Sequence, residues 1–278
     1  MNVLDCGFTA ALLALAYSAT AQPLPQFGRE TFNCSADGSR WPYLVQAVPE
    51  PTAVLIYLHG HYSDETQGMT EGIYNDGFGK VRRECLVRQW AYVCPWYGGN
   101  TWMGPLGEQG LADLIGILRQ KWPGRPVYLC GGSMGGSSTL VFATRRPDLI
   151  DGAIARCPAG DIESYYRFAA SAQENATLQN IANAIGIHYT TDGHVLQDEL
   201  RGRSAALNAE RLTMPVHIIH GAKDTLIPVE GTRRLVARLQ ELGRPVKYVE
   251  LPEGGHDSPV NEVDWNEAFD FVAAGGRP

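Results

Sequence analysis

The chain contains no uninterrupted apolar run of about 20 residues, the length a helix needs to cross a bilayer, so no membrane span is expected. It is also short of basic charge: 23 Lys and Arg stand against 30 Asp and Glu, for a net charge of −7. The basic residues are scattered and form no stripe, so nothing marks an electrostatic footprint for nucleic acid, and no nucleic-acid partner is expected. Cysteine is scarce, with 6 in all and no Cys-x-x-Cys pair, which argues against a zinc site. Internal repeats and low-complexity tracts are absent too, excluding solenoid and linker-like architectures.

What is present suits a single large folded domain. The 278 residues are 44% apolar and 19% charged, far from the composition of disordered chains. The N-terminal residues stand apart: Gly7 to Ala21 is apolar or small throughout and ends in Ala19-Thr20-Ala21. That pattern matches the apolar region and small-residue cleavage site of an export signal. Residues 1–21 are therefore expected to be a signal peptide, residues 22–278 the folded domain, and the location secreted or periplasmic. Against export, the stretch before Gly7 has no Lys or Arg and carries Asp5, leaving a misassigned start or a buried helix as the alternative. Of the remaining cysteines, Cys94, Cys130 and Cys157 sit in apolar β-like runs, as core hydrophobes do. Cys34 and Cys85 could bridge in an oxidising compartment.

From Thr52 onward, short apolar runs alternate with longer amphipathic ones. Thr52 to Leu58, Ala91 to Trp96, Pro126 to Cys130, Gly152 to Cys157, Pro215 to His220 and Val246 to Leu251 read as strands. Their lack of a polar face is what a parallel sheet covered on both sides requires. Helical patterns fill Tyr74 to Trp90, Gly107 to Trp122, Met134 to Arg146, Glu230 to Leu242 and Asn261 to Ala273. The alternation predicts an α/β fold with a mostly parallel central sheet flanked by helices. Tyr43 to Val48, bounded by Pro42 and Pro49, is expected to add an antiparallel edge strand. Residues 159–212 break the rhythm with a long strandless connection. Helical patterns at Asp161 to Ser171, Glu174 to Ile185 and Ser204 to Arg211 predict a helical cap over the strand ends, with an insertion remote from the pocket as the plainer reading.

Gly131-Gly132-Ser133-Met134-Gly135 follows one strand and opens a helix. This G-x-S-x-G turn holds a serine in a strained, exposed conformation, where larger neighbours would clash. A serine hydroxyl is a poor nucleophile near neutral pH, so it needs a base, and the base needs a group that fixes its tautomer. His256, in a glycine-rich loop after the last strand, stands where the base belongs, and Asp224, just beyond Pro215 to His220, where the acid belongs. Asp161 is the rival acid. The developing oxyanion needs donors. The N–H of Met134 is one candidate, and the His61 amide, with Tyr62 as fallback, is the other. His59 is read as a brace for that loop, and His59 and His61 lack a third ligand, so no metal is expected. The aromatic residues Trp96, Tyr97 and Trp102, with Tyr62, Tyr165 and Tyr166, are candidates for the pocket wall or for core packing.

Leu58-His59-Gly60, Gly131 to Gly136, Arg203-Ser204, His220 to Pro228 and Gly255-His256 resemble, in that order, the catalytic domain of the prolyl-oligopeptidase-like family and related bacterial esterases. The resemblance implies the α/β-hydrolase fold, the triad Ser133, Asp224 and His256, and no cofactor. Peptidases of that family carry a β-propeller ahead of the hydrolase domain, for which too few residues separate Ala21 from the first core strand. Met134 also replaces the tyrosine common after the peptidase serine. The expected function is therefore that of a serine carboxylesterase acting on small-molecule or carbohydrate-linked esters, such as feruloyl or acetyl esters of plant polysaccharide. The alternatives are a small serine peptidase and a non-catalytic binding protein on the same fold.

Overall fold

Eight strands join in one sheet in the computed structural model, which describes residues 26–275; the leader expected at residues 1–21 lies outside the described residues. In chain order the strands are β1 (Gly28–Asn33), β2 (Arg40–Gln46), β3 (Ala53–Leu58), β4 (Trp90–Pro95), β5 (Val127–Gly132), β6 (Gly152–Arg156), β7 (Val216–Gly221) and β8 (Val246–Leu251). They lie side by side as β1-β2-β4-β3-β5-β6-β7-β8, with β1 and β2 antiparallel to their neighbours and the others parallel. The helices are α1 (Gly77–Val87), α2 (Pro105–Lys121), α3 (Met134–Arg145), α4 (Ile162–Ser171), α5 (Ala176–Tyr189), α6 (Leu196–Arg203), α7 (Glu230–Glu241), α8 (Ser258–Glu262) and α9 (Trp265–Ala274).

The central strands are apolar at nearly every position because helices cover both faces. Along β3, Val54, Ile56 and Leu58 enter one core while Ala53, Leu55 and Tyr57 enter the other, the two-residue period of a strand. The first core is closed by side chains of α2 to α7, the second by those of α1, α8 and α9. Local chemistry fixes the helix starts. Pro105 opens α2, where its missing N–H costs nothing, and Asp161, Asn175 and Asp264 accept the N–H groups of Ser164, Leu178 and Glu267.

Two expectations need correction. The antiparallel strand near Tyr43 is not an edge: β2 pairs with β4 on one side and with β1 on the other. Pro42 nevertheless fits inside it, since its carbonyl accepts the Trp96 N–H and the N–H it lacks is simply missing from the ladder. The bridge entertained between Cys34 and Cys85 does not form. Both thiols are free, and they lie in the two different cores, on opposite faces of the sheet. Between β6 and β7 run α4, α5, α6 and a 3-10 turn at Ala206–Arg211; α6 falls outside the three helical stretches expected there. This segment packs over the β4–α2 loop, where the Tyr189 hydroxyl donates to the Trp102 carbonyl at 2.8 Å and the Trp102 and Tyr165 rings lie 5.4 Å apart. Among the described residues no helix is long and apolar enough to cross a membrane.

Candidate active site

Ser133 sits between β5 and α3 with φ 58° and ψ −122°, a region that non-glycine residues rarely occupy. Its N–H donates to the Arg156 carbonyl at 3.0 Å and its carbonyl accepts the Ser137 N–H at 2.9 Å, so neighbouring elements over-determine the strained turn. The flanking glycines are required by close approach. A Cβ on Gly135 would fall 2.0 Å from the Leu58 carbonyl oxygen, and one on Gly131 would fall 2.4 Å from the Gly135 backbone.

The structure brings Ser133, His256 and Asp224 together at the C-terminal ends of β5, β8 and β7. The Ser133 hydroxyl faces His256 Nε2 at 2.9 Å, and His256 Nδ1 donates to Asp224 Oδ2 at 2.7 Å. Asp224 Oδ1 accepts the N–H groups of Leu226 and Ile227, each at 2.9 Å, so the carboxylate is fixed before it meets the imidazole. His220 Nε2 lies 3.3 Å from Asp224 Oδ2, and the same ring bonds to Thr232 and to the Ile227 carbonyl. Burial acts to raise the Asp224 pKa. The hydrogen bonds from His220 and His256, the His256 charge and the Ile227 amide outweigh it and hold the carboxyl well below the usual carboxylate range. Asp161, the rival acid, is committed elsewhere: it caps α4, accepts the Ser204 hydroxyl at 2.9 Å and pairs with Arg234 at 2.8 Å.

Met134 is the first residue of α3, and its N–H has no acceptor within that helix. The His61 side chain is anchored twice, accepting from Trp102 Nε1 at 3.2 Å and donating to Asn180 Oδ1 of α5 at 2.9 Å. Burial pushes that imidazole's pKa down, opposed by the Asn180 bond. The fallback donor is engaged, because the Tyr62 N–H donates to Asn100 Oδ1 at 2.9 Å. His59 packs its ring on Tyr97 at 4.5 Å, and its carbonyl accepts the Tyr97 hydroxyl at 2.7 Å.

The aromatic wall is where sequence and structure part. A cleft opens beside Ser133, and none of Tyr62, Trp96, Tyr97, Trp102, Tyr165 or Tyr166 lines it. Tyr97, Trp102 and Tyr165 are buried in packing, Trp96 lies edge-on against Trp41, and Tyr62 projects into solvent. Tyr57, Tyr74 and Phe78 line the cleft instead, with Gln67, Arg156 and Cys157 among the remaining wall residues. Tyr57 belongs to a strand whose every residue is buried, so its sequence context marks it only as core.

Among the described residues one group of possible metal ligands comes close together, the Cys157 thiol with Asp224 and His256, within 4.8 Å of one another. Burial pushes the Cys157 thiol up to about 12, which disfavours the thiolate a soft metal would need. The carboxylate and imidazole are already bonded to each other.

The sheet order, the elbow and the hydrogen-bonded Ser–His–Asp line define the α/β-hydrolase class. A model of the prolyl oligopeptidase family matches residues 124–273, more than half of the chain, and the chain belongs to that family. It is 25% identical over 249 residues to dipeptidyl peptidase family member 6 of Caenorhabditis elegans, covering 82% of this chain and 32% of that protein. It is 34% identical over 87 residues to the esterase LipC of Mycobacterium tuberculosis, covering 31% of this chain and 21% of that one. The chain thus spans between about a fifth and about a third of the length of these relatives. Among solved structures, a thermostable esterase superposes with a TM-score of 0.62 at 21% identity over 90% of this chain and 63% of that one. An S-formylglutathione hydrolase of Staphylococcus aureus gives 0.64 at 16% identity over 89% and 98%.

Proposed function

We propose that the chain is a serine hydrolase that cleaves carboxylic esters through an acyl-enzyme on Ser133. The observation that carries this reading is the unbroken line from the Ser133 hydroxyl through His256 to Asp224. In the first half-reaction His256 Nε2 takes the hydroxyl proton as the oxygen attacks the ester carbonyl. The N–H groups of Met134 and His61 meet the developing oxyanion, and His256 then gives the proton to the departing alcohol. Water repeats the sequence on the acyl group and frees Ser133. Asp224 holds the Nδ1–H tautomer and stabilises the imidazolium that forms at each proton transfer.

Labelling by a fluorophosphonate that disappears in Ser133→Ala, together with turnover of 4-nitrophenyl butyrate, is the expected outcome. An intact wild-type chain that takes no label would favour the non-catalytic binding protein. The family match favours a second reading, a peptidase. Steady-state rates on a Pro-containing peptide amide above those on simple esters would select it. Within the ester reading, feruloyl or acetyl groups carried on plant polysaccharide are the proposed substrates, in keeping with a secreted or periplasmic location. That location predicts an exported protein beginning at Gln22, which intact-mass measurement of the mature chain checks. A mature chain retaining residues 1–21 would overturn it.

A further inference from the structure

Arg156, the last residue of β6, is 2% exposed and lines the cleft that holds Ser133. A buried guanidinium is ordinarily matched by a carboxylate, but among the described residues none lies within ion-pair distance of it. Its Nη2 donates to the Tyr57 hydroxyl at 2.6 Å, its edge meets the Cys130 thiol, and the Tyr57 and Trp265 rings flank it at 5.7 Å and 5.3 Å. Its Nε–H is buried with no acceptor at all. Other buried arginines here are treated differently: Arg203 bonds to Glu108 and Glu199, each at 2.7 Å. The guanidinium also sits against the nucleophile's own turn, since a Cβ on Gly132 would fall 3.1 Å from Nη2. Gln67 adds an amide to the same cleft, and Asp257 is an acid on its wall that makes no ion pair with Arg156.

We propose that this cleft is a carboxylate subsite, in which Arg156 selects esters that carry a carboxylate a few bonds from the scissile carbonyl. The inference rests on the ester-hydrolase reading of Ser133 and adds a substrate class to it. A guanidinium left without an anion in a low-dielectric wall interacts strongly with one that arrives, and its fixed donors suit the planar geometry of a carboxylate. The carboxylate can belong to the acyl group, as in a dicarboxylic half-ester, or to the alcohol, as when the acylated hydroxyl sits on a sugar acid.

Paired substrates on the full chain separate these sources. 4-Nitrophenyl hemisuccinate against 4-nitrophenyl butyrate tests the acyl side, and 4-(butyryloxy)benzoate against phenyl butyrate tests the alcohol side. In one pair kcat/KM for the anionic member is expected to exceed the neutral one on the order of tenfold to a hundredfold, and Arg156→Met should bring that ratio near one, with Arg156→Lys in between. Anionic members slower than neutral ones in both pairs would overturn the subsite while leaving the ester reading intact. Calorimetric titration of 5-oxohexanoate, a ketone with no alcohol to release, into the wild-type chain tests the subsite without turnover and without a variant that must fold. Binding that weakens with added salt and is absent for 2-hexanone is expected, and no binding overturns the proposal even if no ester is cleaved.

Discussion

The two walls beside Ser133 are built differently. On the side of α4 and α5, Trp102, Tyr165 and Tyr189 are buried, the Trp102 ring packs on Tyr165, and the Trp102 carbonyl accepts the hydroxyl of Tyr189 from α5. On the side of α1 and α8, a cleft stays open between Tyr57, Tyr74, Phe78 and Val260, with a cation in its wall. Aromatic content therefore does not identify the recognising wall. The rings on one side are spent on packing, and those on the other line an open cleft beside Ser133 with Arg156 in its wall.

The sharpest test of this contrast lies where the walls meet. Ser133→Ala and His256→Ala are each expected to cut kcat by roughly 10⁴ or more, whichever wall a substrate uses. Asp224→Asn should cost nearly as much, because Asp161 is bound to Arg234, Ser204 and the α4 N-terminus and has no reach to His256. Steady-state kinetics of purified Asp224→Asn within tenfold of wild type would show that some other acid serves.

Next in size is an acid-sensitivity shared by both faces of the sheet. Burial holds His59, on the packed side, and His217, whose ring lies against Phe271 of α9, at about 4 rather than the ordinary 6.5. Between those values the unfolded chain binds more protons than the folded one. Stability is thus fully present above about pH 6.5 and is lost as pH falls toward 4, by up to roughly 3 kcal/mol per ring. Urea melts from pH 7 to 4 on His217→Leu should show a shallower decline than wild type; an unchanged slope would mean that the ring is not buried neutral.

A smaller effect separates the walls directly. The Tyr165 hydroxyl is buried without a partner, so Tyr165→Phe is expected to raise stability by about 1 kcal/mol, read from the urea midpoint, whereas Tyr57→Phe should lower it by removing the acceptor of Arg156. A destabilised Tyr165→Phe would mean that the hydroxyl works in the site. The smallest is Asn180→Ala, which should lower kcat roughly twofold to fivefold by freeing the His61 ring. A change in KM alone would place Asn180 in binding instead of in loop positioning.

The parallel strands were legible because burial on both faces leaves continuous apolar runs. β1 was not: Gly28–Asn33 is polar and mostly exposed, and nothing in its pattern distinguishes it from a loop until β2 pairs with it. The positions of Ser133, Asp224 and His256 followed from chain order at strand ends. The choice between Asp224 and Asp161 did not, since both follow strands and only distance separates them. The cleft was hidden for a related reason. Tyr57 and Arg156 occupy strands buried along their length, and a two-residue period assigns a side chain to a face without saying how near the rim it ends.

The bond from Asn180 to His61 makes α5 a latch on the loop expected to receive the oxyanion. A molecule that entered by lifting this helix would release one of the two anchors of the His61 side chain and leave it held by Trp102 alone. Traffic past α1 and α8 leaves the latch shut, and a ligand arriving by that route meets a catalytic centre already set.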